Sequence, residues 1–361
     1  MTRPNTPLIA SPAQGRAETP IAFIQAIAQA YALRGMNPDK ALSTAQIEPR
    51  ILKKKTARVT AMQMELMSGA AMQELDDEGL GWFSRRLPWG SYGMLVRASL
   101  TAPNLGVALK RWCRHHALLT DDIGLHVHEH SGQAILQLDE AHDLGTFREF
   151  CIVSVLRNAL GVACWLTDSR IPLQATTLRF ASPAHRDSYK VLFEGVTTFD
   201  APTNSLQFDA GYLALPVRRD EAALQHMLQR ALLLTVRPYR RDRLLVEKVR
   251  HTLAHHPEHC RNADDLAAWL HLSPRTLHRQ LKEEGASLQA LKDAVRRDIA
   301  MDLLLRTQRP IKQIAQAIGF QNDKSFIRAF SQWTGRAPHA LRQEVMAQKS
   351  LTPKSLRNSV R

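Results

Sequence analysis

The sequence predicts an α+β domain followed by an all-α domain. Three observations carry that prediction. Apolar residues keep a helical period over residues 20–120, then switch to strict alternation. Strand and helix signals intermix as far as about residue 212. One short helical pattern then occurs twice in the last hundred residues. At 361 residues the chain is long enough for two cores.

Residues 1–19 are polar and proline-rich, without the charged-then-apolar order of a secretory signal, and read as a flexible tail. Residues 20–212 form the predicted α+β domain: a helical layer, then an antiparallel sheet with a helix packed on it. Residues 20–34 carry Ile21, Ile24, Ile27, Ala28 and Tyr31 at helical spacing, and Gly35 is a stop. Thr60 caps a second helix that repeats Met64, Met67, Ala71 and Leu75. Asn104 caps a third, with Leu105, Ala108, Leu109, Trp112 and His116 on one face. Alternation over 125–130, the pair Ser131-Gly132 and alternation over 134–139 make a hairpin. A helix over 147–166, a strand over 177–180, a short helix over 186–193 and strands over 196–199 and 205–208 complete the domain. Residues 213–244 read as a helical connector with Leu224, Leu228, Leu232 and Leu234 in a stripe, interrupted at Pro238.

The repeated pattern fills residues 245–343. Leu266, Ala267, Leu270 and Leu272 lead to Ser273-Pro274-Arg275-Thr276-Leu277-His278-Arg279-Gln280-Leu281. Further on, Ile314, Ala315, Ile318, Gly319 and Phe320 lead to Asn322-Asp323-Lys324-Ser325-Phe326-Ile327-Arg328-Ala329-Phe330. Each copy reads as a helix, a tight turn and a second helix: a helix-turn-helix, the unit that lays its second helix in the DNA major groove. Ser273 is a good N-cap and Pro274 suits the first helical position. Leu277 and Leu281 turn inward, which leaves Arg275, His278 and Arg279 on the other face. Phe326 and Phe330 do the same in the second copy and leave Lys324, Ser325 and Arg328. Asn322 or Asp323 caps that helix, with Asp323 favoured as a cap over a base contact. Between the copies, 288–306 is a helix about 28 Å long at 1.5 Å per residue. Such a rod can hold two recognition helices about one DNA turn, ~34 Å, apart.

Charge agrees. Residues 240–361 hold 23 lysines and arginines against 12 acidic residues, an excess of 11 out of the chain's +14. That is the electrostatic footprint of a phosphate-backbone binder. The tail, 344–361, is basic. No apolar run reads as a membrane span.

Gly319-Phe320, Phe326, Arg328, Phe330, Gly335 and Pro338 follow the order G-F-x5-F-x-R-x-F-x4-G-x2-P. This resembles the signature of the AraC/XylS family of bacterial transcription regulators. The resemblance implies base contacts from Arg275, His278 and Arg279 in the first copy, and from Asp323, Lys324, Ser325 and Arg328 in the second. His271 stands where the first turn of the family usually has glycine, which implies some strain. Gly81, Pro88-Trp89-Gly90-Ser91-Tyr92-Gly93, Arg97, Thr101-Ala102-Pro103 and Leu105 resemble the arabinose-binding-like N-terminal domain of the ornithine-utilisation type of regulator. Few cysteines and no export signal suit a reducing cytoplasm; the family implies a homodimer that binds double-stranded promoter DNA, engages RNA polymerase and more often activates than represses. An architectural DNA-binding protein without an effector is the alternative.

Trp82, Trp89, Tyr92 and Arg97 are the candidate effector contacts, an aromatic and arginine-lined set suited to a small carboxylate. His126, His128 and His130 share a strand face but lack a paired carboxylate or cysteine, so no metal site is assigned. Cys113, Cys151, Cys164 and Cys260 are scattered, with Cys151 and Cys164 expected as buried thiols. No P-loop, dinucleotide loop, H-E-x-x-H or G-x-S-x-G occurs, so neither catalytic residues nor a cofactor are expected.

Overall fold

The computed structural model describes residues 11–229, 244–256, 260 and 262–343. They form two compact units that divide between Leu244 and Leu245.

The first unit opens on strand β1 (Ala17–Pro20), paired antiparallel with β2 (Arg58–Thr60). The expected flexible tail is therefore ordered by its end; residues 1–10 lie outside the described residues. Thr19 and Pro20 are buried by this pairing. So short a strand has no periodicity of its own and gains its partner from distant sequence. Helices α1 (Ile21–Leu33), α2 (Asp39–Thr44), α3 (Ala61–Glu74), α4 (Ser91–Ser99) and α5 (Leu105–His116) follow. Thr60 and Gln63 make a reciprocal capping box on α3, so two otherwise orphaned amides are satisfied. Asn104 accepts from the Val107 amide and starts α5.

A five-stranded sheet comes next, in the order β3 (Ile123–His130), β4 (Gln133–Glu140), β7 (Asn204–Asp209), β5 (Leu173–Thr177), β6 (Val196–Thr198). Ser131 and Gly132, at φ 50° and 77°, turn the β3–β4 hairpin. The pairing is antiparallel except between β5 and β6, which run parallel. The sheet is thus mixed at one edge. The strand expected at 177–180 lies earlier, because the Arg179 amide donates to the Asn204 side chain and leaves the ladder.

Helix α6 (Arg148–Thr167) packs on β4 and β7. With the turn before it, this segment is long and apolar enough to cross a membrane, a length the sequence reading did not credit. Of its most apolar window, 72% is buried, which is the position of a core helix. Helix α7 (Tyr189–Leu192) precedes β6. Helix α8 (Glu221–Leu228), capped by Asp220, starts the connector. Its Leu224 is fully buried in the first unit's core. Leu232, Leu234 and Pro238, with the tail 344–361, fall outside the described residues.

The second unit is helical: α9 (Leu244–His255), α10 (Ala263–Trp269), α11 (Pro274–Glu283), α12 (Leu288–Arg306), α13 (Ile311–Ala317) and α14 (Asp323–Thr334). It has two small cores. Leu266, Ala267, Leu277 and Leu281 meet Leu288, Leu291 and Val295 of α12 in one. Ile314, Ala315, Phe326 and Phe330 meet Ala300 and Leu304 of α12 in the other. Ile299 touches both, so one helix is a wall of each core. The buried Glu284 carboxylate accepts from the Leu245 and Val246 amides and ties α9 to the first core.

Candidate nucleic-acid interface and ligand cavity

The two helix-turn-helix copies share one turn geometry. In the first, the amides of Leu270, His271 and Leu272 donate to the carbonyls of Leu266, Ala268 and Ala267. In the second, those of Ile318, Gly319 and Phe320 donate to Ile314, Gln316 and Ala315 in the same pattern. The residue at the bend has φ 83° in Gly319 and φ 55° in His271. A side chain in that region is disfavoured, so the histidine is strained as its sequence position implied.

Caps fix where each recognition helix begins. The Ser273 hydroxyl accepts from the Thr276 amide at 3.1 Å, with Pro274 as the first residue of α11. Asn322 accepts from the Ser325 amide at 2.8 Å and is the cap of α14. Asp323 is therefore the first helical residue rather than the cap. Its carboxylate accepts from the Lys324 amide, at the positive end of the helix dipole.

Counted from the two caps, Arg275 matches Lys324, His278 matches Ile327 and Arg279 matches Arg328. Leu277 and Leu281 match Phe326 and Phe330, and all four are fully buried. Arg275, His278, Arg279, Asp323, Lys324, Ser325 and Arg328 are all exposed. Arg279 reaches Glu283 on its own helix at 2.8 Å, with both side chains 60% exposed. That pair is weak and easily exchanged for a phosphate or base. Ile327 is 38% exposed in the same row. An isoleucine in a helix reads as core, so the sequence reading passed over it.

In the first unit, Trp82, Trp89, Tyr92 and Arg97 line one cavity of about 290 Å³. The four aromatic and basic candidates are brought together. Met64, Glu65 and Met72 of α3 form another wall, and Phe150, Ser154 and Asn158 of α6 a further one. Met227 and Leu228 of α8 complete it. A Cβ on Gly93 of α4 would lie 3.3 Å from Leu228 Cδ2, so the glycine lets α8 sit close.

Three consecutive acids hold the mouth. Asp76 accepts from the Trp89 amide, and Asp77 from those of Gly79, Gly81 and Leu87. Glu78 accepts from Gly90 and Tyr92, both at 2.7 Å. Burial pushes the Glu78 carboxyl up, opposed by those two amides. The sequence showed these acids only as charge, because their partners are backbone groups. Arg97 is also engaged: its guanidinium reaches both Glu221 oxygens at 2.8–3.2 Å. Arg85 and Arg86 are exposed and do not line the cavity.

Elsewhere, His126 lies 3.5 Å from Asp139, while His128 and His130 are exposed. All four cysteines are buried and unlinked. Burial pushes the Cys113 and Cys164 thiols up to about 12, which disfavours thiolate chemistry.

The profile of the arabinose-binding domain of AraC transcription regulators matches residues 35–217. The chain belongs to the AraC family. A helix-turn-helix domain profile matches residues 266–344 of this AraC-family chain. The ornithine utilization regulator of Pseudomonas aeruginosa is 28% identical over 330 residues, 90% of this chain and 96% of that one. An uncharacterized HTH-type transcriptional regulator of Mycobacterium tuberculosis is 27% identical over 84% of this chain and 90% of its own length. Among solved structures, the regulator CdpR of Pseudomonas aeruginosa covers 87% of this chain and 98% of itself, at 21% identity and a TM-score of 0.31. This AraC-family chain is thus a DNA-binding transcription regulator with an N-terminal ligand-binding domain. Its relatives are regulators rather than enzymes.

Proposed function

We propose that the protein is an effector-responsive activator, and that each subunit reads two successive major-groove segments. The matched recognition helices carry this reading. Both begin at a fixed cap, both bury the same two positions, and both leave an arginine exposed at the same third position. Arg279 and Arg328 are the bidentate guanine readers, at about 1–3 kcal/mol of discrimination each. Arg275, Lys324 and Ser325 contact phosphate or base edges beside them, and His278 reads in the first segment. Ile327 offers the apolar contact that a thymine methyl takes. Asp323 stays at the helix start. Helix α12 sets the spacing at about one helical turn.

The cavity of the first unit receives the effector. Occupancy favours a homodimer whose DNA-binding units engage adjacent sites together, which raises effective concentration without new contacts. RNA polymerase is then engaged at the promoter. The cavity also favours this reading over a purely architectural role, which has no use for one.

Selection of binding sites from random duplexes tests the reading. Arg279→Ala should erase preference at one base pair. Arg328→Ala should erase it at another, about ten base pairs away. If both variants weaken all sequences evenly, the arginines are phosphate contacts and the base-reading role is wrong.

A further inference from the structure

We propose that the effector carries a protonated amine, which pairs with the buried Glu78 carboxylate in the cavity wall. This rests on the cavity being the effector site and adds the chemistry of its occupant.

Three charged side chains line the cavity: Glu65, Glu78 and Arg97. Glu65 already has a partner. Arg97 is matched by Glu221. Glu78 has no such match. It is 7% exposed, and its two hydrogen bonds come from the Gly90 and Tyr92 amides. Both of those residues also line the cavity, which sets the carboxylate in its wall. Amides at the start of α4 hold the carboxylate in place but bring no full positive charge. The charged neighbour that acts on it is Asp77, another acid, whose own partner is Arg34. Burial raises the Glu78 carboxyl, and Asp77 adds to that rise against the two amides. A buried carboxylate is costly to ionise until a cation reaches it. An ammonium that enters supplies that charge through a charge-assisted hydrogen bond. An alcohol of the same shape leaves the charge unmatched.

The other lining groups fit the rest of such a guest. Met64, Met72 and Met227 are unbranched and adapt to an apolar body. Ser154 and Asn158 lie one turn apart on α6, and their side chains have no hydrogen bond among the described residues. They serve a further N–H of the ammonium or a hydroxyl on the guest, and being neutral they do not select its charge. A carboxylate has a different way in. The Arg97–Glu221 pair is half-exposed, so an acid can exchange with Glu221 there. An acid bound in that way still leaves Glu78 unmatched.

Calorimetric titration of the full chain with three probes of similar size tests this: phenethylammonium, phenethyl alcohol and hydrocinnamate. The amine should bind about tenfold or more tighter than either of the others. Glu78→Gln should bring the amine down to the level of the alcohol. Glu78→Asp keeps the charge, and should keep an amine preference of about threefold or more. Reading the ratio of amine to alcohol cancels any general loosening of the mouth. Ser154→Trp and Met72→Trp, which fill the cavity from different helices, should each abolish amine binding while the circular dichroism spectrum is kept. An alcohol or acid that binds as tightly as the amine overturns the proposal, as does the absence of binding by all three probes. So does a ratio unchanged in Glu78→Gln, a ratio lost equally in Glu78→Asp, or loss of both probes in both Glu78 variants. An alcohol or acid that binds best and is blocked by the filling variants overturns the ligand class and leaves the cavity as the effector site. Binding that ignores both filling variants overturns the cavity assignment itself.

Discussion

Two histidines carry measurable strain or cost. His271 sits at φ 55° in the first recognition turn, where its counterpart is Gly319. His271→Gly should stabilise the second unit by about 0.5–1 kcal/mol, read from urea unfolding. His116 is fully buried in the first unit, and burial lowers its imidazole to about 4. The folded protein therefore resists a proton that the unfolded chain accepts near 6.5. Stability is fully present above pH 6.5 and falls as pH drops from 6.5 toward 4. The loss should reach about 2 kcal/mol at pH 5. His116→Phe should flatten this slope in unfolding measured at several pH values; an unchanged slope would assign it to other groups. Residues of this kind divide in how legible they are. His271 was legible because the family that the sequence resembles usually has glycine in that turn. Asp77 and Glu78 were not, because a carboxylate that gathers backbone amides has the same sequence signature as a solvated one.

At the level of elements, caps and periodicity did most of the predictive work. Helices α3, α5, α11 and α12 begin after Thr60, Asn104, Ser273 and Ser287, whose side chains each accept from the amide three residues on. The first three of those caps are visible in the sequence as starts of helical periods. Strands β1 and β2 and the bounds of β5 were harder, because three to five residues cannot display a period and their partners are remote. The second recognition helix shows the same limit on a smaller scale. Adjacent Asn322 and Asp323 are both competent caps, and only the backbone geometry at Asn322 settles the choice. Ser273→Ala should cost about 1 kcal/mol by removing the α11 cap. Its DNA affinity should fall with a blurred preference confined to the first segment, seen in selected binding sites. A uniform loss across both segments would mean that the cap does not position the helix.

Across the whole molecule, the fold class and the double helix-turn-helix were readable, since both depend on patterns that recur along the chain. The cavity was readable only in part. Its aromatic wall falls within one stretch of sequence, whereas α3, α6 and α8 contribute from far apart. No local pattern announces that convergence.

The closeness of Gly93 to Leu228 has one more consequence. The polypeptide leaves its sensing half through a helix that is itself part of the receptacle. Under the proposed function, a guest pressing on Met227 and Leu228 pushes on a helix whose sequence continues to the second unit. Gly93→Ala should imitate that push from the opposite side, because the added methyl forces Leu228 to yield. Deuterium uptake at residues 221–229 should quicken about fivefold, a loosening of roughly 1 kcal/mol. Residues 105–116 should keep their rate. If uptake at 221–229 stays unaltered, that helix is anchored independently of its neighbour and cannot be the first part of the protein to feel a visitor.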